Sequence, residues 1–196
     1  MDKKEIITAK VVAGVVIRKE GKLKDSITIT FLTVARLEKE KNIETALKAC
    51  KKVRDSGIKA RFTIVGEGSE RRKLEALAKE LNIDNLVTFT GWQKGLKEFY
   101  QQADVYLSTS LYEGYGMSLV EAAFAGLPII STDTGIAAEL GAVICKQKDV
   151  EAFALAMQNP LPLAKMPALI SKEAYLEKYK EAMQKALEAK GEKRGV

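Results

Sequence analysis

The sequence predicts a doubly wound α/β domain built on a parallel sheet, and three observations carry that prediction. From residue 27 onward, short apolar or β-branched runs alternate with amphipathic segments. Those runs are mostly too apolar for strands with one wet face, so they read as strands buried on both sides, paired in parallel through right-handed crossovers. The chain has 196 residues, 46% of them hydrophobic, with no internal repeat, which fits one packed domain with extensions. Taken in order, residues 1–26 hold one strand, "AKVVAGVVI", and a charged stretch, "RKEGKLKDS", that reads as a linker or edge element. "ITITFLTVA" is the first strand of the alternation, and "NIETALKACKKVRDSG" is a helix with Asn42 placed to cap it and Gly57 placed to stop it. Next come strand "ARFTIVG", a helix opening on Ser69, strand "LVTFT", helix "LKEFYQQA" and strand "DVYLSTS". Helix "MSLVEAAFAG", ended by Gly126, is followed by strands "LPIISTD" and "AVIC" and by a helix after Asp149. The prolines of "NPLPLAKMP" break the pattern before a terminal helix that begins near Ser171. The expected division is 1–26 as linker, 27–158 as the ligand-binding domain and 159–196 as a helical tail.

Composition removes several function classes. The net charge of +6 arises largely from lysines mixed with glutamates, as in "KALEAKGEKR", a pattern of solvated helix faces. With no aromatic platform interleaved, nucleic acid is not an expected partner. Histidine is absent, which excludes His-based acid/base chemistry and most zinc sites, and no metal is expected. Cys50 and Cys145 lie far apart in apolar or helical contexts and read as buried thiols of a reducing compartment. Without an apolar leader or spanning segment, the expected location is the cytoplasm, with peripheral contact to the inner face of a membrane left open.

In doubly wound sheets ligands bind beyond the carboxyl ends of the strands, so the loops after strands are where chemistry is expected. "ARLEKEKN" places Arg36 and Lys41 five positions apart in a loop that ends at a helix start, a combination suited to a dianion, although loop cations are more often simply solvated. "GEGSERRKLEAL" turns at Gly66 into a helix. It is neither a dinucleotide fingerprint, because Arg71 stands at the third glycine position, nor a Walker loop, so a plain turn glycine competes with close approach to a ligand. Trp92 reads as a half-buried packing residue. "YEGYGMSLVEA" puts Glu113 and Glu121 eight positions apart around a glycine turn. Ser118 and Glu121 have the spacing of a capping box, which by itself would account for Glu121. It does not account for Glu113, Gly114 or Gly116, whose carboxylate and bare amides suit a polyhydroxylated or phosphorylated ligand such as a sugar phosphate.

The segments "VARLEKEKN", "IVGEGSERRKLEAL", "VTFTGW", "ADVYLSTSLYEGYGMSLVEAAFAGLPIISTDTG" and "DVEAFALAM", in that order, resemble the C-terminal half of retaining GT-B glycosyltransferases of the group 1, family 4 type. The resemblance covers about residues 27 to 158 and rests most on Glu113-x7-Glu121 combined with the Arg36 and Lys41 loop. It implies a nucleotide-diphosphate sugar, UDP-, GDP- or ADP-linked, as donor substrate, with no other cofactor. Glu113 would face the transferred sugar, and Arg36 and Lys41 would neutralise the diphosphate. Gly66 and the turn Gly114, Tyr115, Gly116, Met117, Ser118 and Leu119 would hold sugar and phosphate, and Glu121 would accept from the ribose. An acceptor-binding N-terminal domain or subunit would be the partner. "VVAGVVIR" resembles a drifted form of the segment joining the two halves. Departures from the pattern are Ile136, where the family usually has a second glycine, and a short stretch between Glu139 and Asp149.

Two functions follow as expectations. The first is the donor half of a metal-independent retaining hexosyltransferase of polysaccharide or glycoconjugate synthesis. The alternative is a non-catalytic subunit with an assembly or regulatory role, against which the joint presence of Glu113, Arg36 and Lys41 argues.

Overall fold

A computed structural model of the chain describes residues 10–12, 15–17 and 28–159. The prolines of the tail and the terminal helix lie outside these residues, as does the charged stretch 18–26. Near the N-terminus the single expected strand is two short ones, β1 (Lys10–Val12) and β2 (Val15–Ile17), paired antiparallel as a small hairpin.

The main sheet has six parallel strands: β3 (Ile29–Val34), β4 (Ala60–Val65), β5 (Val87–Gly91), β6 (Val105–Ser108), β7 (Ile129–Thr132) and β8 (Val143–Cys145). They are crossed by α1 (Ile43–Asp55), α2 (Arg71–Glu80), α3 (Lys97–Gln102), α4 (Met117–Phe124) and α5 (Val150–Gln158). Successive residues of each central strand serve opposite cores. Phe31, Phe62, Leu107 and Ile130 pack with Leu47, Val53 and Phe153 from α1 and α5. Leu32, Tyr106 and Ile129 pack with Tyr100, Leu119 and Ala122 from α3 and α4. This two-sided burial is why the strands read as continuous apolar runs.

The strand order β5-β4-β3-β6-β7-β8 makes the chain travel outward from β3 and then return to its other side at β6. A crevice therefore opens where β3 and β6 diverge at their carboxyl ends. Leu32 and Tyr106 are the last paired residues there.

Helix ends depart from the sequence reading in three places. Asn42 precedes α1 but adopts a left-handed conformation (φ 50°), and its amide donates to Thr45 Oγ1 and the Thr109 carbonyl rather than capping the helix. Ser69 does not open α2. Its amide and hydroxyl both donate to the Glu38 carboxylate, and the helix begins two residues later at Arg71. The Ser118–Glu121 capping box does not form, because Gly116 at φ 89° occupies the cap position and Glu121 is drawn to another partner.

Candidate functional site at the carboxyl ends of β3 and β6

The loop after β3 contains a single 3₁₀ turn, Lys39–Lys41, and is fastened to the loop after β6. The Leu111 amide donates to the Glu40 carbonyl at 2.7 Å, and the Thr109 hydroxyl lies 3.0 and 2.9 Å from the carbonyls of Lys41 and Asn42. Thr109 is buried, so this bonding replaces the water its hydroxyl lost. A second hydroxyl, Thr132 Oγ1 on β7, donates to the Ser110 carbonyl at 2.6 Å. Buried threonines at the ends of β6 and β7 thus help to hold the loops in register.

That stitching brings Lys41 and Glu113 together across 72 positions of sequence. Lys41 Nζ donates to Glu113 Oε1 at 2.8 Å, and the side chains are only 13% and 14% exposed. Ser110 Oγ donates to the same oxygen at 2.7 Å. Arg36 lies in the same loop but is directed elsewhere: its guanidinium meets Glu40 at 3.0 Å and is 74% exposed. The structure therefore joins two of the three charged residues selected from sequence, and holds the third in a surface pair.

Behind Glu113 the chain makes the glycine turn. Gly114 is exposed, with open space where a Cβ would stand. Tyr115 and Met117 are exposed, Gly116 is buried and left-handed, and Ser118 and Glu121 are half-buried. None of the backbone amides from Gly114 to Ser118 is paired within the described residues. A row of free amides at a helix N-terminus is an anion-binding surface, because the unpaired N–H groups and the helix dipole present the same sign. Leu119 differs from its neighbours: its side chain is buried beneath α4 and its amide bonds the Gly116 carbonyl.

Gly66 adjoins the same loops for a packing reason. At φ 138° it passes so close to β3 that a Cβ would overlap the Ala35 carbonyl oxygen, while its amide donates to Gly91. Sequence reading missed Gly68 and Gly135 as parts of this region. A Cβ on Gly68 would strike the Leu37 backbone, and one on Gly135 (φ 56°) would strike the Tyr115 carbonyl. The Ile136 amide donates to that same carbonyl at 3.0 Å, so the loop after β7 supports the glycine turn from below. The Thr-Gly pair directly after a strand was the available signal. Ile136, where a second glycine was expected, fills the core under α4. Trp92 is 71% exposed rather than half-buried, and stands after β5 near the Arg71 and Glu67 ion pair that surrounds Gly91.

Cys50 and Cys145 are free and buried, and burial pushes both thiols up to about 11. They are inert packing groups. Among the described residues, no helix is long and apolar enough to cross a membrane.

Comparison with known proteins agrees with this fold. The chain is 37% identical over 106 residues to the UDP-N-acetylglucosamine–peptide N-acetylglucosaminyltransferase GtfA subunit of Streptococcus parasanguinis, over 54% of this chain and 21% of that protein. It is 34% identical over 113 residues to 2-deoxystreptamine N-acetyl-D-glucosaminyltransferase of Niallia circulans, over 57% of this chain and 29% of that one. The chain thus spans less than a third of the length of these curated relatives. The crystal structure of the pneumococcal O-GlcNAc transferase GtfA in complex with UDP and GlcNAc superposes with a TM-score of 0.61 at 27% identity, covering 83% of this chain and 38% of that one. The fold is that of a Rossmann-like half of a GT-B glycosyltransferase. The family profile described as glycosyl transferases group 1 matches residues 17–177. With the family's sheet, the crevice at its switch point and a match over most of its length, the chain belongs to the glycosyl transferases group 1.

Proposed function

We propose that this chain is the donor-binding half of a retaining, metal-independent hexosyltransferase that takes a nucleotide-diphosphate sugar and passes the sugar to an acceptor held by a second domain or subunit. The observation that carries the reading is the convergence of Lys41 and Glu113 at 2.8 Å beside the unpaired amides of residues 114–118. A pyrophosphate lying on those amides would draw the Lys41 ammonium onto its oxygens and leave the Glu113 carboxylate beside the attached hexose. Arg36 joins by leaving Glu40, a pair on the surface that is worth well under 1 kcal/mol. Glu121, farther along α4, accepts from the ribose hydroxyls.

The reaction then needs little from this chain beyond charge and position. The bond from the sugar's anomeric carbon to the diphosphate breaks, and the acceptor oxygen bonds that carbon from the same face. The acceptor proton passes to the leaving phosphate oxygen. Two cations and a helix N-terminus stabilise the developing diphosphate charge, as donors fixed before the reaction do in oxyanion sites. A front-face transfer asks for no histidine base, in keeping with a chain that has none.

Calorimetric titration of the full chain with UDP, GDP and ADP and with their sugars tests the reading. One nucleotide is expected to bind in the micromolar to millimolar range, about tenfold more weakly after Lys41→Ala, the loss of one charge-assisted contact. No binding of any nucleotide at millimolar concentration overturns it.

A further inference from the structure

Glu121 has a partner from outside its helix. Tyr100 on α3 donates its hydroxyl to Glu121 Oε2 at 2.7 Å, and the Tyr100 hydroxyl oxygen also lies 3.3 Å from the Ser118 carbonyl. The Tyr100 ring is buried and stacks on Tyr106 with centroids 6.0 Å apart and planes inclined by 28°. Tyr106 in turn donates to the Val34 carbonyl at 3.1 Å. The chain of contacts therefore runs from the end of β3 through two tyrosines to the first turns of α4, and it ends on one oxygen of one carboxylate. Glu121 Oε1 has no hydrogen-bond partner among the described residues.

We propose that Tyr100 is a positioning residue for the nucleotide: it pins Oε2 of Glu121 so that Oε1 is held ready for the ribose hydroxyls. This rests on the donor-site reading above and adds to it a residue that touches no ligand. A glutamate on a helix surface samples many rotamers, and fixing it costs entropy that an unrestrained side chain would lose on binding. A tyrosine whose ring is already immobile removes that cost, because its hydroxyl has one proton and the carboxylate is the nearer acceptor. Burial, then the neighbouring Tyr106 and the Glu121 carboxylate, hold the Tyr100 phenol above its ordinary range, so it remains a donor throughout neutral and mildly alkaline pH.

The test compares UDP with 2′,3′-dideoxy-UDP, which lacks the hydroxyls Glu121 would hold, by titration of the full chain and its Tyr100→Phe, Glu121→Gln and doubly substituted variants. Tyr100→Phe keeps the ring and deletes only the hydroxyl. It is expected to weaken UDP about tenfold, which corresponds to ~1.4 kcal/mol, while binding of the dideoxy nucleotide changes less than about twofold. In the Glu121→Gln background, Tyr100→Phe is expected to add no further loss, since the two act through one contact. Equal weakening of both nucleotides would mean a packing role and overturn the proposal, as would unchanged UDP affinity. Failure of the unmodified chain to bind UDP, GDP or ADP would overturn the donor reading itself, and this proposal with it. Binding of UDP with no effect of Tyr100→Phe would overturn only the present one.

Discussion

Lys41 is engaged before any ligand arrives, because Glu113 already holds its ammonium in a setting that excludes most water. A carboxylate in that position competes with phosphate for the same cation. Removing its charge without changing its shape should therefore favour the nucleotide: Glu113→Gln is expected to bind UDP about three- to tenfold more tightly, with one competing charge contact gone, while hexose transfer in the complete enzyme falls at least about a hundredfold. Titration and a radiolabelled transfer assay measure the two effects separately. At this scale the sequence singled out both Lys41 and Glu113, but their pairing was not legible. Lys41 and Glu113 stand 72 positions apart, and how the two loops meet is fixed by the Leu111 and Asn42 amides together with the hydroxyls of Thr109, Ser110 and Thr132. Trp92 was misjudged because burial of an aromatic after an edge strand depends on what lies beside that edge, which no local pattern records.

Among elements, two of the three glycines expected to serve the ligand have different structural standing. Gly66 lies where β4 crosses the end of β3, with no room for a side chain and a positive φ, whereas Gly114 faces open space. Gly66→Ala is expected to cost about 2 kcal/mol or more by combining backbone strain with a steric clash, and thermal unfolding should show a fall of several degrees. Gly114→Ala should leave the melting temperature within about a degree, since surface changes away from such features are nearly neutral. Strands and helices were readable from residue 29 to residue 158 because two-sided burial makes the strands apolar and the helices amphipathic. Caps were not. Asn42 and Ser69 each sit within two residues of a helix start with the right chemistry, yet each is recruited by a residue from another loop, Thr109 and Glu38, while Gly116 takes the cap position before Ser118. Tertiary partners outbid local ones wherever a strand end and a helix start share a crevice.

For the molecule as a whole, the two interior thiols set a limit at high pH. Their pKa values rise from 9.0 unfolded to about 11 folded, so the folded state keeps protons that the unfolded chain releases. Stability contributed this way is complete below pH 9 and is lost as pH climbs toward 11. Denaturant melts at pH 8, 9.5 and 10.5 should show that decline, and Cys50→Ala with Cys145→Ala should flatten it. The order of strands was inferable only as a class, because alternation dictates parallel crossovers but not where the chain reverses; that reversal, between β3 and β6, is what creates the crevice. The two ion pairs there have a further consequence for capture kinetics. A chain with a formal charge of +6 would be expected to reel in a polyanion by long-range attraction, yet Glu40 and Glu113 offset Arg36 and Lys41 at the point of arrival. Encounter should then be slow to respond to ionic strength, with an association rate in stopped flow that changes little between dilute and physiological salt, as for a ligand meeting an electroneutral mouth that exchanges one counter-ion for another.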